Sequence, residues 1–130
     1  MRGFSLIELM IVIGIIAIIN LVMVPSFTSL QRSAKQLSAK SSARQLMVGL
    51  EQYHFMHQVY PEGTNVPMAT IAKLLIDEQI IQALPTNPYT GQVYGVQDSS
   101  GQIMYTKQSS IEYHIVGYGE DNDVIIFSFP

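Results

Sequence analysis

The feature that most constrains this chain is an apolar run near its start: from Leu9 to Val24 every residue is apolar or glycine except Asn20. Counted from Phe4 the run is 21 residues long. As a helix rising ~1.5 Å per residue it reaches about 31 Å, enough to cross the hydrocarbon core of a bilayer. Glu8 stands at the front of this run. An ionised carboxylate in hydrocarbon costs several kcal/mol, so a partner for Glu8 is expected. A conventional cleaved secretory signal would need a longer basic segment before the run and a small-x-small site after it. Here the run leads instead into Val24-Pro25-Ser26-Phe27.

Charge divides the chain. Residues 1–44 hold Arg2, Arg32, Lys35, Lys40 and Arg44 against Glu8 alone, whereas residues 45–130 hold Lys73 and Lys107 against nine acids. The stem is basic and the head acidic, and the stem charges leave membrane orientation ambiguous by loop-charge counting. The basic residues are few and strung along one helix, not gathered into an aromatic-studded patch, so nucleic acid is not an expected partner. With no cysteine there is no disulfide framework, thiolate nucleophile or cysteine zinc site. The length allows one modest domain plus one membrane element.

Arg2-Gly3-Phe4-Ser5-Leu6-Ile7-Glu8, followed by the apolar run and Pro25, resembles the class III leader and N-terminal helix of type IV pilins and type II secretion pseudopilins. The resemblance is close through about residue 30. It implies a leader of residues 1–3, cut after Gly3 on the cytoplasmic side by a prepilin peptidase that then N-methylates Phe4. It further implies an inner-membrane protein with its C-terminal domain in the periplasm, stored in the membrane and then drawn by an assembly platform into a filament with other pilins or pseudopilins. The assembly residues it implies are Phe4, Glu8 and Pro25, with Glu8 meeting the new Phe4 amine of a neighbouring copy. Such a pair satisfies both charges only on assembly and sets register as much as affinity. Two local readings stand beside it. Glu8 can sit hydrated at the interface near a helix N-terminus, where the dipole favours negative charge. Asn20 can bond between packed helices or approach the membrane surface.

The expected fold is α+β, a pilin fold in which a long N-terminal helix packs against a small antiparallel sheet. Residues 4–25 form the membrane and assembly helix, 26–60 an amphipathic stem, and 61–130 the head. One helix over about residues 5–57 carries two apolar stripes, Phe27, Leu30, Ala34 and Leu37, then Ala43, Leu46, Met47, Leu50 and Tyr53. The break near Ser41-Ser42 assigns the first stripe to neighbouring subunits and the second to this subunit's own head. Pro25 predicts a kink or opening at residues 21–25. A short helix is expected within 66–84, and then strands at 92–96, 102–106, 111–118 and 124–129 in a meander. The connector Pro85-Thr86-Asn87-Pro88-Tyr89-Thr90-Gly91-Gln92 resembles the stretch before the sheet of major pseudopilins.

The candidate metal ligands are Glu120, Asp121 and Asp123, hard oxygen donors in the Gly119–Asp123 turn suited to calcium, with Asp98 a distant contributor. An ordinary charged hairpin turn accounts for the same residues. Glu51, His54 and His57 have a spacing that can face one metal, but a third strong ligand is not evident. No catalytic grouping or phosphate loop is present, so a structural role is expected and enzyme activity is not. Calcium is the one cofactor considered. The rival from another class is a single-pass anchored periplasmic module that binds calcium or a small ligand through its head, and such a tether requires neither Gly3-Phe4 nor Glu8.

Overall fold

The computed structural model describes residues 3–122 and 124–130. The chain divides into a first unit ending at Ala34 and a second, Lys35–Pro130. Helix α1, Leu6–His57, supplies the first unit and the opening of the second. It ends where expected, because Gln58 turns left-handed at φ 59° while its N–H still reaches the His54 carbonyl at 2.7 Å.

Within the first unit residues 6–24 are exposed on every side of the helix. The opening expected at Pro25 is not seen, for α1 is helical on both sides of the proline and through it. The ring holds φ at a helical value and removes a single donor from the ladder. One turn further on, Thr28 Oγ1 donates to the Pro25 carbonyl and Ser29 Oγ to the Ser26 carbonyl, both at 2.9 Å.

The second unit is built on the second apolar stripe. Ala43, Leu46 and Leu50 are buried, Met47 and Tyr53 pack at their margin, and Ala39 extends the buried face one turn earlier than expected. Helix α2, Met68–Asp77, buries Met68, Ala69, Ile71, Ala72 and Leu75. Its approach explains Gly49: a Cβ there would stand 3.1 Å from Leu75 Cδ1 and 3.2 Å from Ile81 Cγ2, so the glycine that weakens α1 locally makes room for its neighbour.

The sheet has four antiparallel strands in the order β1 (Val66–Pro67), β2 (Ile103–Lys107), β3 (Tyr113–Tyr118) and β4 (Ile125–Phe129). Alternation places Ile103 and Tyr105 of β2 and Tyr113 and Ile115 of β3 in the core. Gly117 lies opposite Phe127, and a Cβ at 117 would overlap the Phe127 ring. That glycine lets the ring lie flat on the sheet, next to a register shift at Gly117/Tyr118. The meander of the last three strands agrees with the sequence reading, and the fold is α+β and pilin-like.

Residues 92–96 are a correction. They form no strand, and only Val93 bridges, to Thr86. The reason is Asn87, fully buried. Its Nδ2 donates to Asp98 Oδ2 at 2.9 Å and to the Ser100 carbonyl at 2.8 Å, while its Oδ1 accepts from Tyr89 N at 2.9 Å. Asp98 Oδ2 also accepts from Gly95 N at 3.0 Å. These bonds curl the segment around one side chain and take backbone groups that a strand would offer to a neighbour.

Candidate functional site

The first turn of α1 positions Glu8. Ser5 precedes the helix, and the Ser5 backbone N–H donates to Glu8 Oε2 at 2.9 Å. This is the acidic half of a capping box, S-x-x-E, in which a third-position glutamate reaches back to the cap residue. In the single chain Glu8 is therefore a helix cap on an exposed first turn. That leaves most of its lone-pair capacity open, since an ionised carboxylate offers about four acceptor sites. Phe4, 80% exposed, lies immediately before Ser5. The Phe4 amine that cleavage after Gly3 would release thus belongs to the same turn as the carboxylate, and Glu8 presents charge at the end of the helix where the dipole favours it. Asn20 is satisfied within its own helix, its Nδ2 donating to the Ile16 carbonyl at 2.7 Å. Leu21, Val22, Met23 and Val24 stay well exposed beside it. An unbroken apolar surface of this kind needs lipid or other helices around it.

The metal candidates lie apart. Glu120 and Asp121 are exposed, and Asp123 lies outside the described residues. The turn they occupy is shaped by its own hydrogen bonds. Gly119 N donates to the Val124 carbonyl at 2.9 Å, and Asn122, at φ 56°, donates its N–H to the Gly119 carbonyl at 3.3 Å. The Asn122 side chain ties this turn to the preceding loop, accepting from Gln102 N at 2.9 Å and donating to the Asp98 carbonyl at 3.1 Å. Asp98 itself is directed at Asn87 and Gly95, as described above. Among the described residues no three His, Asp or Glu side chains converge as a metal site.

Glu51, His54 and His57 also diverge. Glu51 accepts from Tyr60 Oη at 2.9 Å and Tyr113 Oη at 3.3 Å. His54 stacks on Tyr60 with ring centroids 4.4 Å apart, and its Nε2 is buried with no hydrogen-bond partner among the described residues. His57 stands against Tyr53, centroids 4.2 Å apart, with Nε2 3.5 Å from Glu78. Sequence spacing placed the three on adjacent turns, but the aromatic residues of the head decide where each points. Burial first, and then the Glu51 carboxylate, push the Tyr60 hydroxyl up to about 12, and burial likewise raises Tyr113 and Tyr105. These hydroxyls remain protonated donors at neutral pH, and Tyr105 donates to the Pro61 carbonyl at 2.8 Å. The role of Glu51 as acceptor for two tyrosines was missed by sequence reasoning, since the tyrosines lie 9 and 62 residues further along the chain.

A helix whose first half is apolar on every side and long enough to cross a membrane, capped by an acidic first turn, together with a small helix-and-sheet head, gives the pilin-like fold expected from the sequence. The comparisons agree. A family model described as a prokaryotic N-terminal methylation motif matches residues 1–23. The type IV major pilin protein PilA of Myxococcus xanthus (strain DK1622) is 36% identical over 64 residues, which cover 49% of this chain and 29% of that protein. The chain thus matches less than a third of that relative's length. No solved structure gives a significant match. The chain carries the methylation motif at its start and is similar to a type IV pilin over about half of its length.

Proposed function

We propose that this protein is a structural subunit of a type IV filament, a pilus or a type II secretion pseudopilus, that is stored in the inner membrane with its head in the periplasm. Its precursor is cut after Gly3 by a prepilin peptidase, Phe4 is N-methylated, and an inner-membrane platform assembles the mature chain with other copies and other pilins. The observation that carries the reading is the first turn of α1. Glu8 caps Ser5 there, ahead of a helix whose apolar side chains are exposed all round. In the single chain that surface is stable only in lipid; in a filament the helices of neighbours replace the lipid, driven by packing and by the satisfaction of polar groups. Glu8 then exchanges a hydrated or capped state for an ion pair with a neighbour's Phe4 amine.

The test is whether the chain enters a shearable filament in a manner that depends on Gly3. Wild-type protein is expected in the sheared fraction with Phe4 at its N-terminus. Gly3→Leu is expected to remain unprocessed in the membrane and absent from that fraction. Equal recovery of Gly3→Leu would overturn the proposal.

A further inference from the structure

Between the last turns of α1, the β2–β3 turn and Pro130 lies a cavity of about 400 Å³. Tyr60 and Tyr113 line it, both nearly fully buried, with Met47 and Ile111 as apolar walls and Glu51 and Glu112 as acids. Both tyrosine hydroxyls donate to Glu51, which fixes the carboxylate without neutralising it. Among the described residues no lysine or arginine lines the cavity, and Lys107, on the neighbouring strand, is paired with Glu62. A fixed carboxylate, a second acid and aromatic rings in one recess match a cation carried on an apolar stem. Arginine suits it best, since its planar guanidinium both forks onto a carboxylate and stacks on a ring.

We propose that this cavity receives Arg32 of a second copy. The inference rests on the filament reading above and names a contact between neighbours in it. The charge division supplies the complementarity: a cation from a basic stem on one copy meets an acid-rich head on another. The stem cations are not equivalent. Lys35 lies 5.7 Å from the centroid of Tyr89, and Lys40 and Arg44 lie 5.7 and 6.0 Å from that of Phe129, rings of the same head. Arg32 is exposed and forms no ion pair among the described residues. Glu51 and Arg32 are 19 positions apart on α1. Parallel neighbours that bring them together are therefore staggered by about 28 Å along the helix. A Phe4–Glu8 pair spans only 4 positions, about 6 Å, so the two contacts join each copy to different neighbours and fix register at two separate places in the filament.

The absence of native cysteine makes the test direct. Full-length Gln108→Cys, on the cavity rim, and Gln36→Cys, one turn from Arg32 on α1, leave Arg32 and Glu51 in place. Chains carrying different tags are co-expressed, filaments are sheared off, and a short bis-maleimide is added. The expected result is a mixed-tag dimer within filaments and none in detergent-dispersed protein. In parallel, Arg32→Glu is expected to lower filament recovery about tenfold or more at matched membrane levels, and Arg32→Lys to retain most of it. Glu51→Gln, which keeps an acceptor for Tyr60 and Tyr113, is expected to fall with Arg32→Glu. Filaments that form without the mixed-tag dimer, or in which Gln108→Cys is captured by a different protein, overturn the proposal and leave the filament reading intact. Full recovery of Arg32→Glu also overturns it. If the wild-type chain forms no filament, the functional reading itself fails.

Discussion

Replacing Glu8 separates two roles of one carboxylate, the cap that the structure shows and the ion pair that we propose. In the single chain its measurable contribution is the 2.9 Å bond from Ser5 N, a cap on an exposed turn worth about 0.5–2 kcal/mol. In a filament, loss of the carboxylate leaves a neighbour's Phe4 amine buried without a counter-charge, a cost of roughly 3–5 kcal/mol. The assembled state should thus lose at least about 1 kcal/mol more than the single chain per contact, a factor of about 5 in the association equilibrium at about 1.4 kcal/mol per decade. Glu8→Ala is expected to insert and to be processed at Phe4 while entering filaments poorly beside wild-type copies. Glu8→Gln is the decisive partner, because glutamine retains the capping acceptor and loses the charge. Sheared-filament yield at matched membrane levels is the assay. If Glu8→Gln assembles like wild type and Glu8→Ala does not, capping is the role and charge pairing is refuted; if both assemble like wild type, neither role matters to the filament.

Residues 29–130, freed of the apolar run, should fold as a soluble domain with mixed helix and strand by circular dichroism and one cooperative melt, since the Ala43–Tyr53 stripe is covered within that unit; a non-cooperative melt would contradict this. In the same domain, calcium held by Glu120, Asp121 and Asp123 would raise Tm and chelation would lower it, whereas an unchanged melt removes the cation from the account. Asn87→Ala should destabilise the head by about 2–4 kcal/mol in urea, because it strands the partners of three part-buried bonds made by a fully buried amide. Tyr60, Tyr94, Tyr105 and Tyr113 are raised above their unfolded value of 10. The stability this contributes is complete below pH 10 and declines as pH rises, for Tyr60 through about 12. Urea midpoints should therefore hold steady from neutral pH to about 10 and fall above it, and a flat profile would contradict the burial of these hydroxyls.

The elements with strong local signals were legible in the sequence. The long helix follows from an apolar run joined to two stripes of helical spacing, and β2, β3 and β4 from β-forming runs between turn residues. Val66–Pro67 was missed as a strand because two residues, one of them proline, carry no alternation; it forms only because Tyr105 and Met104 stand opposite. Residues 92–96 read as a strand from composition, yet the buried Asn87 amide claims that loop from a distance. At the first turn, Ser5 and Glu8 spell a capping box that local reading could have found. The tyrosine pair around Glu51 could not be found that way, since it depends on a strand 62 residues away.

The central claim, that this is a processed filament subunit and not a simple anchored module, is tested most directly by the intact mass of the membrane-extracted protein. The account predicts a chain lacking Met1, Arg2 and Gly3, beginning at Phe4 and heavier than the bare remaining sequence by one CH2, the net gain of a single N-methylation. A mass that retains the first three residues, or that corresponds to cleavage beyond Val24, would contradict it.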